Sequence, residues 1–149
     1  MSHKFFTVEE ANALIGFLEA TLERIKRNKQ KFLWLQEEIS ILKVIVECGA
    51  NTRDSKSKGE SINGDSLDLE EKLLQFKAVE REIDKGKAAI SDKGCIIREE
   101  DTGMIDFFSI QNNTVVYLCW KKGEEMVRYW HSIHDDFDSR QPLLKSPST

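Results

Sequence analysis

Ala11, Leu18, Ile25, Phe32, Ile39 and Val46 recur at a strict interval of seven, and that spacing commits the first third of the chain to a long helix with a partner. Leu14, Ile15 and Leu22 join the stripe early, Leu35 and Leu42 later. A sustained seven-residue repeat drifts on a straight helix, so it favours gentle supercoiling about a second helix. The periodic stretch runs to Glu47, and roughly 40 residues at about 1.5 Å each make a rod of about 60 Å that cannot bury its stripe alone. Thr7-x-x-Glu10 has the form of a capping box, which sets the expected start near Val8.

Residues 48–66 are almost wholly polar and contain Gly49, Gly59 and Gly64, so a mobile connection is expected there. A second helix is expected over 67–92, entered through Asp65 or Ser66 and stopped at Lys93-Gly94. Leu69, Phe76, Ile83 and Ile90 keep the same interval of seven, with Leu73 alongside. The simplest arrangement is an antiparallel, coiled-coil-like hairpin. Because the second helix is the shorter, the stripe from Leu22 to Phe32 is left to bury itself against a second subunit, which implies a homodimer or another protein partner through the helices.

Strand signals fill 95–131. Cys95 to Arg98, Met104 to Ile110, Val115 to Trp120 and Met126 to His131 are rich in β-branched and aromatic residues, with short polar connections between them. The expected sheet is an antiparallel meander of three to four strands. A last hairpin turning at Lys122-Gly123 would put Trp120 near Glu125 and Tyr117 near Arg128. The tail, 132–149, is expected to be loosely ordered after Pro142. The fold class is thus α+β, and at 149 residues one domain is the expectation.

Composition excludes several classes. A formal net charge of −4 argues against nucleic acid as a partner, since nonspecific binding depends on many cations meeting phosphates. No apolar run reaches bilayer length and MSHKFFTVEE lacks a signal-peptide core, so a cytoplasmic protein without a membrane span is expected. Cys48, Cys95 and Cys119 have neither disulfide nor zinc-knuckle spacing. There is no phosphate-binding glycine loop, no G-x-S-x-G and no H-E-x-x-H.

Phe6-Thr7 with Glu9-Glu10-Ala11-Asn12, Gly103-x-x-Asp106-Phe107, Tyr117-Leu118-Cys119-Trp120-x-x-Gly123-Glu124, Tyr129-Trp130-His131 and Phe137-x-x-Arg140-Gln141-Pro142-Leu143 resemble the DUF2203 family of uncharacterised bacterial proteins. The resemblance covers nearly the whole chain up to Leu143 and implies no assigned activity. Asp106, Glu124, His131 and Arg140 fall on its motif positions, whereas His3 and His134 do not. Asp136 stands where the family tends to have glycine.

Imidazole and carboxylate groups are what divalent first-row metals prefer, so the chemistry points to His131, Asp106 and Glu124, with Asp136 beside them, as ligands of a divalent metal ion. On a strand His131 and His134 point to opposite faces and do not chelate together. Arg140 reads either as an anion clamp or as an ion pair anchoring the tail. Trp120, Tyr129 and Trp130 form an aromatic patch whose simplest role is core. Cys119, mid-strand between Leu118 and Trp120, reads as a packing residue rather than a nucleophile partnered by His131. Two functions follow: a non-enzymatic dimerisation or interaction module, and a metal-binding protein or metal-dependent enzyme.

Overall fold

The computed structural model describes the backbone of residues 4–51 and 56–143, and the side chains of 4–49 and 64–143. Its elements are α1 (Val8–Ala13), α2 (Ile15–Asn51), α3 (Lys56–Asp92), β1 (Cys95–Glu99), β2 (Met104–Gln111), β3 (Thr114–Lys121), β4 (Tyr129–Ser132), a 3₁₀ turn (Phe137–Ser139) and β5 (Gln141–Pro142). Contacts gather them into two compact units, one of residues 1–26 with 86–149 and one of 27–85. Among the described residues no helix is long and apolar enough to cross a membrane.

In the first unit the capping box forms as its residues dictate. Thr7 Oγ1 accepts from the Glu10 amide (3.1 Å) and Glu10 Oε1 from the Thr7 amide (3.0 Å), satisfying two donors a helix start leaves open. The hydrogen bonds from Thr7 hold the Glu10 carboxyl below its usual range. The expected single first helix is interrupted at Leu14, whose amide takes the tighter bond to Ala11 O (3.1 Å) before the ladder resumes in α2.

The sheet has five strands in the order β1-β2-β3-β4-β5, every pair antiparallel, rather than three or four. The additional strand comes from the tail: Gln141 and Pro142 pair with Trp130 and Tyr129, and the Leu143 amide donates to Arg128 O (2.7 Å). Residues 144–149 lie outside the described residues, and with them most of the tail expected to be loose. Asn112 and Asn113 turn β2 into β3 at φ 50° and 63°, the left-handed pair a two-residue type I′ hairpin requires. One sheet face carries Ile105, Phe107, Ser109, Val116, Leu118 and Trp120, all buried. Phe6 packs edge-on against Phe107 at 5.2 Å, and Ser109 Oγ donates to Phe6 O (2.6 Å). Ala11, Leu18 and Leu22 are buried with them.

The last hairpin differs from expectation. β4 starts at Tyr129, so Tyr117 pairs with His131 rather than lying near Arg128, and the ladder ends at Cys119 with Tyr129, short of the expected approach of Trp120 to Glu125. Residues between β3 and β4 are drawn off into other bonds: Trp120 Nε1 donates to Glu124 O (2.8 Å) and the Val127 amide to Asn12 Oδ1 (2.7 Å). The expected turn at Lys122-Gly123 does form, with the Glu124 amide donating to Lys121 O (2.9 Å) and Gly123 at φ 101°, but the chain beyond it does not pair back at once.

In the second unit α2 and α3 pack together, with Phe32 stacked on Phe76 at 4.3 Å and Lys72 Nζ 4.4 Å from the Trp34 ring. Residues 48–51 and 56–66, expected to be loop, are helical, and 52–55 lie outside the described residues. Polarity in 56–66 does not by itself exclude a helix. Once a helix is nucleated, each further residue gains a hydrogen bond at little cost. Asp65 and Ser66 are therefore interior to α3 and not its cap. Leu22 and Ile25 are 2% and 1% exposed and Phe32 is occupied by Phe76, so that part of the first stripe is not spare.

Candidate metal centre

Strand register puts the chemistry on the sheet face opposite the one that carries Phe107, Leu118 and Trp120. Asp106 pairs with Ile96 on β1 and with Cys119 on β3, while Tyr117 pairs with His131. Side chains alternate along a strand, so Asp106, Tyr117, Cys119, Tyr129 and His131 share one face. Cys119 thus joins the acid and the imidazole, although its local sequence reads only as packing. The register across three strands is the signal that finds it.

A carboxylate oxygen of Asp106, Cys119 Sγ and a ring nitrogen of His131 lie within 4.8 Å of one another. All three residues are buried, at 1%, 1% and 3% exposure. Asp106 Oδ2 accepts from Arg98 Nε (2.8 Å) and faces His131 Nε2 (3.0 Å). Asp106 Oδ1 is buried and makes no hydrogen bond. A buried carboxylate oxygen without a donor is costly.

His131 Nδ1 lies 2.9 Å from the Ser132 carbonyl oxygen, which can only accept, so Nδ1 carries a proton. Nε2 then faces a carboxylate oxygen. In a neutral imidazole that nitrogen would present a lone pair to the carboxylate, so a second proton or a cation has to lie between them. Neither ring nitrogen points freely at a substrate, which argues against His131 as a simple general base. Burial, reinforced by the Asp106 carboxylate and opposed by Arg140, pushes the Cys119 thiol up to about 12. Burial works against the Arg98 guanidinium, yet its bonds to Asp106 and Tyr117 hold its pKa above the ordinary value.

The cluster opens into a cleft of about 410 Å³ lined by Arg98, Met104, Asp106, Cys119, His131, Ile133 and residues 135–138. Asp135, Asp136 and Asp138 are exposed along it. Asp136 therefore belongs to the mouth and not to the buried cluster. Glu124 is held elsewhere: it accepts from the Lys121 amide (2.7 Å), and Arg140 Nη1 reaches both its carboxylate oxygens at 3.0 Å. The Arg140 guanidinium is also sandwiched between Tyr129 (4.1 Å) and Phe137 (3.9 Å). Its contacts are thus Glu124 and two aromatic rings, and the guanidinium lining the cleft is that of Arg98. The aromatic patch divides: Trp120 is fully buried on the opposite face, Trp130 pairs with Leu118 on that same face, and Tyr129 lies beneath Arg140.

No curated protein and no solved structure matches the chain. Residues 4–143 match the model of one family, described as an uncharacterized conserved protein (DUF2203), which extends over nearly the whole sequence. The chain belongs to the DUF2203 family.

Proposed function

We propose that the chain is a divalent-metal-binding protein with Asp106, Cys119 and His131 as ligands. The observation that carries this reading is Asp106 Oδ1, buried and without a donor beside a thiol and an imidazole. A mixed oxygen, sulfur and nitrogen set suits zinc, and three protein ligands with a fourth position toward a cleft are the pattern of a reactive site rather than a closed structural one. The surroundings fit. Nδ1 donating to a backbone carbonyl fixes the tautomer that leaves Nε2 to coordinate, and Arg98 on Oδ2 orients the carboxylate. Ligands of a tetrahedral zinc at about 2.0–2.3 Å stand about 3.5 Å apart, so side chains within 4.8 Å close on an ion with small rotamer adjustments.

The cleft supports an open fourth position carrying water, where a metal would lower that water's pKa. Asp135, Asp136 and Asp138 favour entry of cations. The helical unit reads as an antiparallel coiled-coil hairpin and supplies no ligand.

Equilibrium dialysis of chelator-stripped protein against zinc tests the reading. One ion per chain, lost in His131→Ala and in Cys119→Ser, supports it. A folded wild-type protein that takes up no zinc ends it.

A further inference from the structure

Over residues 27–49 of the second unit, α2 is apolar on two sides. Leu35, Ile39 and Leu42 are buried on the side that holds Phe32 against Phe76. Trp34, Ile41 and Cys48 form a second series at an interval of seven, flanked by Leu33, Val44 and Ile45. At 3.6 residues per turn this series is centred on the far side of the helix, with Trp34 at its edge, where Lys72 Nζ of α3 lies 4.4 Å from the ring. Leu33, Trp34, Ile41, Val44 and Ile45 are 61%, 51%, 50%, 58% and 43% exposed. A helix with one seam needs one partner; two heptad seams need two.

We propose that this outer face of α2 is a self-association surface, on which two copies of the chain pair antiparallel about a two-fold axis near residues 39–40. A two-fold interface uses the same patch on both subunits. Reversal sets the bulky end, Leu33 and Trp34, against the smaller Val44 and the stiff, β-branched Ile45, and brings Ile41 close to the axis. One indole and four aliphatic side chains, each about half exposed, leave on the order of 400–500 Å² of apolar surface per copy. Two copies supply about 900 Å² of the roughly 1,200–2,000 Å² that a stable interface buries, with a polar rim for the rest. Such a patch is as large as the roughly 300–600 Å² of a typical monomer's largest, often functional, patch. Glu37 interrupts the seam, and a single polar residue in an apolar seam fixes register at a cost in affinity.

This face is not the one expected from the first repeat. The stripe from Leu22 to Phe32 is occupied within the chain, and the association surface lies on the other side of the helix, further along it.

Sedimentation equilibrium of the full chain, metal-free and zinc-loaded, tests the proposal. Twice the chain mass is expected at micromolar concentration in both. Ile41→Glu, at an exposed position, should weaken association at least about 100-fold with an unchanged helical circular dichroism spectrum. Glu37→Leu should tighten it about tenfold. Leu67→Glu, at an exposed position on α3, should leave the mass doubled. Ser40→Cys, beside the axis, should form a disulfide-linked pair on oxidation. A single-chain mass at the highest soluble concentration overturns the proposal and leaves the face to a different protein; so does a dimer indifferent to Ile41→Glu.

Discussion

His131 Nε2 stands 3.0 Å from Asp106 Oδ2, and because His131 Nδ1 is committed to the Ser132 carbonyl, one proton or one metal ion has to occupy the space between them. Asp106→Asn removes that requirement, since an amide nitrogen in place of Oδ2 can donate to the bare Nε2, at the expense of the bond from Arg98 Nε. The variant should fold and bind zinc on the order of 100-fold or more weakly, given that even outer partners of a ligand contribute 10–100-fold. Competition with a chromophoric chelator measures the last quantity. An affinity equal to wild type would remove Asp106 from the ligand set.

Zinc affinity should rise with pH. The Cys119 thiol, pushed up to about 12 by burial and by Asp106, is protonated in the metal-free protein at neutral pH and has to release its proton to coordinate. Each released proton makes the apparent affinity about tenfold stronger per pH unit until its site titrates. Titrations at a series of pH values, with proton release followed by an indicator dye, give the slope. A flat profile above pH 7 contradicts coordination by the thiolate.

Alkali should destabilise the metal-free fold. Burial raises Cys95 to about 11 and Cys119 to about 12, whereas both thiols titrate near 9 in an unfolded chain. The folded state therefore holds more protons than the unfolded one between those values. Stability from the two thiols is complete below pH 9 and is lost as pH rises through 11 to 12. Urea unfolding at pH 8 and pH 10.5 should show the decline, reduced in Cys95→Ala. In the same range iodoacetamide should label exposed Cys48 well before either buried thiol.

Arg140→Ala should free the last strand without dissolving the sheet. It removes the bond to Glu124 and two stacked ring faces from a side chain that is 16% exposed. A loss of about 1–3 kcal/mol is expected in urea unfolding. Hydrogen exchange should accelerate at Leu143, whose amide bonds to Arg128 O, more than within β2 and β3. A change confined to the helices would contradict the anchor role.

Gly103→Ala should be harmful for two separate reasons. The residue sits at φ +76°, and an added Cβ would lie 2.6 Å from Lys122 Cβ. A cost of about 1–3 kcal/mol is expected from the clash and the left-handed backbone together. Thermal unfolding checks it, and an unchanged midpoint would be inconsistent with the packing of that turn.

Local chemistry was legible and long-range register was not. Thr7 with Glu10, Gly94 at φ 94° and the Asn112-Asn113 turn are decided within a few residues, and each behaves as its residue type dictates. The pairing of Asp106 with Cys119 depends on hairpin lengths, and the bonds from Trp120 to Glu124 and from Val127 to Asn12 shift β4 by several residues from a tight-turn register. That shift brings His131 beside Tyr117 and turns Cys119 from apparent packing into a partner of Asp106. It also separates Glu124, which Arg140 holds. The helical start of α3 escaped a reading based on polarity, because propagation from an apolar helix does not need a buried face in every turn.

Cobalt substitution tests the central claim most directly, because a thiolate bound to cobalt(II) gives a charge-transfer band that oxygen and nitrogen ligands alone do not. Cobalt(II) added to chelator-stripped protein should saturate at one ion per chain with a thiolate band. The band should vanish in Cys119→Ser, persist in Cys95→Ser and Cys48→Ser, and be displaced by zinc. Folded protein that shows no such band, or shows one that survives Cys119→Ser, would contradict a metal centre built on Asp106, Cys119 and His131.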